Sequence, residues 1–130
     1  MHKGNNNKPI KYLYKTIKLY NEALGGDKKH RYQARTHLAL GKAHTLNKDY
    51  AEALKACLFS EEIYDVVLKE KKIDDVSDLY KELALLGIYM KDDGLTHKYL
   101  KAHINIFGHS HPRTQEILHA LDGHGLVTPF

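Results

Sequence analysis

The feature that most constrains this chain is a pair of small residues, Gly41 and Ala53, which stand twelve positions apart in two stretches of helical pattern. Between the stretches lie residues 46–49 (Leu-Asn-Lys-Asp), whose asparagine and aspartate favour a turn. A turn there brings two helices side by side in antiparallel orientation, and small side chains let their backbones approach closely. We therefore expect a helical hairpin whose point of closest approach joins Gly41 to Ala53.

Apolar residues recur at steps of three and four along most of the chain, which is the pattern of amphipathic helices. Pro9 favours the first turn of an opening helix, and Gly25 with Gly26 ends that helix. The fold class is therefore all-α, with about six helices. The predicted helices cover residues 9–24, 29–46, 49–68, a segment around 79–90, 95–107, and a last segment from Pro112.

Two helix starts carry capping signals. Asp49 followed by Glu52 predicts a capping box at the start of the third helix. Ser110 or His111, directly before Pro112, predicts the cap of the sixth helix. The expected buried set of the second helix is Tyr32, Leu38, Leu40 and Ala43.

A chain of 130 residues is long enough for one hydrophobic core, so we expect a single domain. The Asn-rich residues 1–8 predict a flexible lead-in, and the glycines and proline within residues 123–130 predict a loose C-terminal tail. The helical domain is accordingly assigned to residues 9–122.

The composition limits the classes of function. With 20 basic and 16 acidic residues, the net charge of +4 lacks the concentrated positive charge of a dedicated nucleic-acid binder. Cys57 is the single cysteine, which excludes an internal disulfide and a thiolate metal cluster. No run approaches the roughly 18 apolar residues of a membrane span, and the start has no apolar signal core, so we expect a cytoplasmic protein without a membrane span.

A second hairpin is predicted after the first. Gly87 follows a leucine, as Gly41 does, 46 positions further along the chain, and residues 92–94 (Asp-Asp-Gly) supply the turn. Twelve residues after Gly87 the chain has Tyr99 instead of a small residue. We therefore expect the second hairpin to splay or to pack differently.

The order of Leu40-Gly41, Asp49-Tyr50 and Ala53-Leu54 resembles the tetratricopeptide (TPR) repeat. Residues 108–112 (Gly-His-Ser-His-Pro) resemble the Gly-x-x-His-Pro connector of the long-period repeats in kinesin light chains. The resemblance implies a right-handed superhelix of antiparallel helical hairpins and a non-enzymatic scaffold or adaptor for protein–protein interaction. It also implies open ends that another protein or self-association completes, because the chain holds two units and two half units.

In such repeats the first helix of each pair lines the concave face, which the resemblance implies is the partner-binding face. The corresponding positions here combine basic and apolar side chains, which favours a peptide or helix with acidic side chains as the partner. Gly41, Ala53 and Gly87 are expected to pack helix against helix. The predicted partner-binding residues are Arg35, Leu38, Lys42, Thr45, Lys81, Ala84, Ile88 and Lys91.

The sequence lacks a glycine-rich phosphate loop, a Walker sequence and a zinc-protease motif, so we predict neither an enzyme nor a cofactor. Lys8, Lys11, Lys15 and Lys18 form a stripe on the first helix, for which a solvated outer face is favoured over contact with phosphates. Together with the lysines of residues 69–72, this stripe supports the alternative of a basic helical nucleic-acid-associated protein.

Ten histidines raise a third hypothesis, a histidine-dependent metalloenzyme. His109, His111 and His119 are the best candidates for metal ligands, but no carboxylate or thiolate lies close to them in sequence. We therefore predict no metal site. Among the other histidines, His37 and His44 are expected between helices, and His97 and His103 are expected in solvent.

Overall fold

The computed structural model describes residues 7–25 and 30–123, and it is helical over most of them. Within these ranges no strand is present, which confirms the all-α class. The helices are α1 (Asn7–Leu24), α2 (Arg31–Leu46), α3 (Tyr50–Val67), α4 (Asp74–Tyr89), α5 (Asp93–Phe107) and α6 (Pro112–Gly123).

The helix boundaries agree with the sequence pattern to within a few residues. The first helix begins at Asn7, two residues before the predicted start at Pro9. It ends at Leu24, and Gly25 follows with a φ of +76°, a conformation that glycine adopts without strain. The predictions for residues 1–6, for Gly26 and for residues 124–130 lie outside the described ranges.

The helices form two compact units, divided between Lys69 and Glu70. In the first unit α2 packs against both α1 and α3, and over the described residues no close backbone contact joins α1 to α3. In the second unit α4 packs against α5 and α6, and α5 also contacts α6. The single domain of residues 9–122 and the superhelix stay predictions.

The helices α2 and α3 approach each other closely at Gly41. A Cβ added to Gly41 would lie 2.5 Å from Cys57 Sγ and 3.2 Å from the carbonyl oxygen of Ala53. Both Ala53 and Cys57 are fully buried. A side chain at position 41 would therefore displace α3 or its cysteine.

This close approach predicts that substitutions at the two positions are coupled. Gly41→Ala alone is expected to lower the free energy of unfolding by about 1–2 kcal/mol, because the new methyl group pushes on Cys57 Sγ. In a Cys57→Ala background the same change is expected to cost about 1 kcal/mol less, since the sulfur is gone. Urea unfolding of both single variants and the double variant measures the coupling. Additive effects would contradict the packing of Gly41 on Cys57.

The two hairpins have the same turn geometry, and equivalent residues of the two hairpins lie 43 positions apart in the chain. Lys48 and Lys91 take the same place in the two turns, with φ values of +63° and +58°. The next residue in each turn makes the same backbone hydrogen bond, from Asp49 N to the carbonyl oxygen of His44 (2.9 Å) and from Asp92 N to that of Gly87 (2.8 Å). Gly87 therefore corresponds to His44, not to Gly41.

In this register Ala84 takes the place of Gly41, and Thr96 takes the place of Ala53. The Thr96 hydroxyl donates a hydrogen bond to the carbonyl oxygen of Ala84 (3.0 Å), across the same separation of twelve residues. The sequence-based alignment of Gly87 with Gly41 is thus wrong. It was built on the shared Leu-Gly dipeptide, whereas the position of the turn sets which residues of two helices meet.

The capping box also differs from the expectation. Asp49 precedes α3 as its N-cap, but its side chain makes no cap hydrogen bond, so the predicted box with Glu52 is wrong. A capping box forms instead at His30, whose Nδ1 accepts from Tyr32 N (3.1 Å) and whose backbone N–H donates to Gln33 Oε1 (2.8 Å). The predicted burial of Tyr32 is wrong as well. Its ring is 51% exposed and stacks on His30 at 4.6 Å.

Candidate functional site

A groove of about 190 Å³ opens in the first unit, where α1 and α3 both pack on α2 and, over the described residues, make no close backbone contact with each other. All three helices contribute to it, with α2 between the other two. The residues that line the groove are Tyr14 from α1, His37 and Leu40 from α2, and Glu52, Lys55, Ala56 and Phe59 from α3.

The floor of the groove is apolar and two of its walls are aromatic. Leu40 and Ala56 are buried, whereas Tyr14 is 50% exposed and Phe59 is 37% exposed. The ring of His37 meets the ring of Phe59 edge-on at 4.4 Å, so this histidine fills a gap between α2 and α3. Half-exposed aromatic rings around a buried apolar floor are typical of interaction sites.

The charges on the two sides of the groove differ. On α3, Glu52 and Lys55 form an ion pair at 3.5 Å, which leaves that side nearly neutral. On α1, Lys11 and Lys18 lie one turn before and one turn after Tyr14, so they share its face of the helix. Both lysines are exposed. The α1 side of the groove is therefore basic.

His44 lies on the groove side of α2, one turn after Leu40. It is buried, and its ring is edge-on to Tyr14 at 6.4 Å. Neither of its ring nitrogens has a hydrogen-bond partner among the described residues, and the same holds for Oδ1 of the buried Asn47 one turn further on. His44 fills a gap between α1 and α2, as predicted, but its ring nitrogens contribute no hydrogen bond to stability there.

The second unit contains a buried hydrogen-bond network centred on His103. This side chain is fully buried, so the expectation that it lies in solvent is wrong. Its Nε2 is 2.6 Å from Ser77 Oγ on α4, and its Nδ1 is 2.7 Å from Thr114 Oγ1 on α6. The imidazole of α5 therefore ties together all three helices of this unit.

One set of proton positions satisfies every group in the network. Thr114 donates its hydroxyl proton to the carbonyl oxygen of Gly108 (2.9 Å), so its oxygen accepts from His103 Nδ1–H. Arg113 donates to Ser77 Oγ (3.3 Å), and Ser77 in turn donates to the unprotonated Nε2 of His103. The network thus holds His103 as a neutral imidazole with its proton on Nδ1.

The surroundings of His103 oppose a positive charge on its ring. Burial, followed by the nearby His111 and Arg113, lowers the pKa of His103 from 6.5 to about 4. The Ser77–His103 contact has the distance of a nucleophile and its base, but both side chains are fully buried. We therefore interpret the network as structural.

Five of the eight predicted partner-binding residues keep at least part of their side chain at the surface. Arg35 is exposed, Lys42 is half-buried, and Thr45 donates its hydroxyl proton to the carbonyl oxygen of Gly41 (2.9 Å). Lys81 forms an ion pair with Glu116 of α6, and Lys91 lies exposed in the turn after α4.

The other three residues, Leu38, Ala84 and Ile88, are buried. Ala84 packs against α5 at Thr96, because the register of the second hairpin places it at the helix contact. It is a core residue of its unit and not part of a binding face.

The structure places the groove on a different face of α2 from the predicted partner-binding residues. Arg35 and Lys42 lie on one side of this helix, and His37 and Leu40 lie on the other. The sequence carried a signal for the groove in the spacing of His37, Leu40 and His44 at steps of three and four. From the sequence these residues are assigned to packing, with Leu40 in the buried set and the two histidines between helices.

His111 caps the start of the sixth helix. His111 Nδ1 accepts from Arg113 N (3.1 Å), which confirms the predicted cap before Pro112. Over residues 7–25 and 30–123, no group of three or more histidine, cysteine, aspartate or glutamate side chains is placed to hold a metal ion. Among the described residues, a depression of about 460 Å³ beside α6 is lined by Gln115, Glu116, His119 and Ala120.

The part of the chain that the structure describes contains no helix with the length and apolar character needed to cross a bilayer. Comparison of the chain with protein-family models, with curated proteins and with solved structures finds no match in any of the three.

Proposed function

We propose that this chain is a non-enzymatic, TPR-like scaffold or adaptor whose first unit binds a helix or peptide of another protein. The groove between α1 and α3 is the binding site in this proposal. The observation that carries it is the pair of half-exposed rings, Tyr14 and Phe59, on either side of the buried floor at Leu40. Aromatic residues at the centre of an interface contribute a large share of the binding energy.

The size of the groove favours a protein partner over a small molecule. Sites for small molecules and cofactors enclose about 300–1,000 Å³ and bury most of the ligand. The groove has about 190 Å³, which lies below this range. That volume suits anchoring side chains of a segment whose remainder lies across the surface.

Substitutions of the two rings test the proposal. A displayed library of peptides of about 20 residues, selected against the full chain, supplies a fluorescein-labelled probe. Tyr14→Ser and Phe59→Ser are each expected to weaken its binding about 10-fold or more, because each removes an aromatic anchor. Fluorescence anisotropy measures the affinity.

Two neighbouring residues provide matched controls. Tyr12 is 70% exposed and Leu58 is 39% exposed, and neither lines the groove. Tyr12→Ser and Leu58→Ser are expected to leave the affinity unchanged. Equal effects of the control and groove substitutions would contradict the proposal.

The second candidate function is a basic helical nucleic-acid-associated protein. The exposed lysines of α1 favour it, since Lys8, Lys11, Lys15 and Lys18 all reach solvent. This candidate requires binding to single-stranded or duplex RNA or DNA with a steep dependence on salt concentration. Failure to retain any of these nucleic acids at low salt would exclude it.

A further inference from the structure

We infer that the segment bound by the groove is an amphipathic α-helix whose acidic side chains face α1. This inference rests on the proposed function, since it names the chemical class of the partner for the same groove. Three observations carry it: the direction of the groove, the distribution of charge on its two sides, and the absence of a strand edge among the described residues.

The groove follows the axis of α3. Its lining residues on this helix, Glu52, Lys55, Ala56 and Phe59, are spaced as i, i+3, i+4 and i+7. That spacing covers two helical turns, or about 10 Å along the axis. A groove that spans this length of α3 matches two turns of a third helix, which presents its own anchors at the same spacing.

A partner in extended conformation fits this unit poorly. Peptides bind as strands by adding to an exposed sheet edge, where the main chain supplies the hydrogen bonds. The described part of the first unit consists of helices and turns, whose backbone groups are bonded within each helix. Side-chain packing is therefore the main source of affinity, as in helix-in-groove complexes.

The charges on the two sides of the groove favour acidic residues on one edge of the partner helix. Lys11 and Lys18 are exposed on the face of α1 that carries Tyr14, Lys15 is exposed beside them, and Glu22 is the one acidic residue among the described residues of α1. On the α3 side, Glu52 and Lys55 neutralise each other at 3.5 Å. Glutamate or aspartate on the edge that faces α1 would thus be attracted, whereas lysine or arginine there would be repelled.

The same charges disfavour a second copy of this chain that docks through its own α1. Two α1 helices side by side would place lysine rows of like charge within a few ångströms of each other. Self-association through this face is therefore an outcome that would overturn the inference.

A pair of designed peptides tests the inference. Both are labelled helices of about 18 residues with the same apolar residues at i, i+3, i+4 and i+7. The positions that flank the apolar residues are all glutamate in the first peptide and all lysine in the second. At about 50 mM NaCl the glutamate peptide is expected to bind the full chain about 10-fold more tightly, with a difference that shrinks as salt rises.

Charge reversal on α1 should invert this preference. The triple variant K11E/K15E/K18E is expected to bind the lysine peptide more tightly than the glutamate peptide. A control triple variant, K69E/K72E/K101E, changes the net charge equally at exposed lysines that do not line the groove, and it is expected to keep the original preference.

The remaining outcomes would contradict either the inference or the proposed function. Equal affinity for both peptides, both weakened by Tyr14→Ser, would overturn the inference and leave the groove as a binding site. The same loss of preference in both triple variants would overturn it too, because it would show a response to total charge only. Failure of both designed peptides, or self-association abolished by Phe59→Ser, would also overturn it. Failure of the library selection would instead contradict the proposed function itself.

Discussion

Replacing Gly87 with alanine is expected to lower the free energy of unfolding by about 2–3 kcal/mol. A Cβ at this position would lie 2.6 Å from Thr96 N and 2.9 Å from the carbonyl oxygen of Asp92. Both are backbone atoms at the start of α5, so they cannot rotate away as a side chain can. The gain of about 1 kcal/mol in helix propensity offsets only part of this cost.

Gly94 provides the matched control for this prediction. It lies in the first turn of α5, and a Cβ there would meet nothing closer than Asp92 Oδ1 at 3.5 Å. Gly94→Ala is therefore expected to leave stability unchanged or to raise it by up to about 1 kcal/mol. Urea unfolding followed by circular dichroism compares the two variants. A Gly87→Ala variant as stable as the parent would contradict the close backbone contact at this turn.

The buried network of the second unit is expected to make stability depend on pH. The pKa of His103 is about 4 in the folded chain and 6.5 without the surrounding structure. Between these values the unfolded chain binds more protons at this residue than the folded chain does, so falling pH favours unfolding. The contribution is complete above pH 6.5 and is lost towards pH 4, with a total of roughly 3 kcal/mol.

The groups that face His103 explain the direction of this effect. A proton on Nε2 would turn an acceptor into a donor, and Ser77 already accepts from Arg113. Arg113 on α6 and His111, directly before this helix, also disfavour a charged ring, and the carboxylate of Asp74 lies 3.7 Å from the guanidinium of Arg113. The charged ring would therefore be buried against the hydroxyls of Ser77 and Thr114, with no carboxylate among its hydrogen-bond partners, which is unfavourable.

Substitution with leucine is expected to change stability differently at the two buried histidines, His103 and His44. His103→Leu is expected to lower stability at pH 7 by about 3 kcal/mol, because the hydroxyls of Ser77 and Thr114 lose their partner. The same variant should lose the part of the pH dependence that His103 supplies. His44→Leu is expected to be neutral or to raise stability by about 1 kcal/mol, since His44 has no hydrogen bonds to lose.

Unfolding curves at several pH values between 4 and 7 provide the measurement. The difference between the parent chain and His103→Leu isolates the contribution of this residue from that of the other titrating groups. An unchanged pH dependence in His103→Leu would contradict the neutral, fully bonded imidazole.

The sequence predicted the local features of this fold better than the contacts between helices. Helix periodicity and turn residues depend on neighbours in the chain, so the six helices and the cap at His111 were predicted from the pattern. The register of the second hairpin was missed because Gly87 was aligned by residue type. The two lysines with positive φ, Lys48 and Lys91, show the alignment that the turns impose.

The missed site features depend on residues far apart in the chain. His103 meets Ser77 across 26 positions and Thr114 across 11, and no local pattern marks these partners. The groove was missed because it arises where α1 and α3 leave part of α2 uncovered. Periodicity shows that Tyr14 lies near the apolar stripe of α1. It does not show that the Tyr14 ring is left partly uncovered by the helices that pack beside it.

The central claim is that the groove between α1 and α3 binds a helix of another protein. Amide chemical-shift changes in the full chain, recorded by NMR during titration with the library-selected peptide, test it most directly. We expect the largest changes at the lining residues Tyr14, His37, Ala56 and Phe59. Changes confined to the second unit, or to the face of α2 that carries Arg35 and Lys42, would contradict the claim.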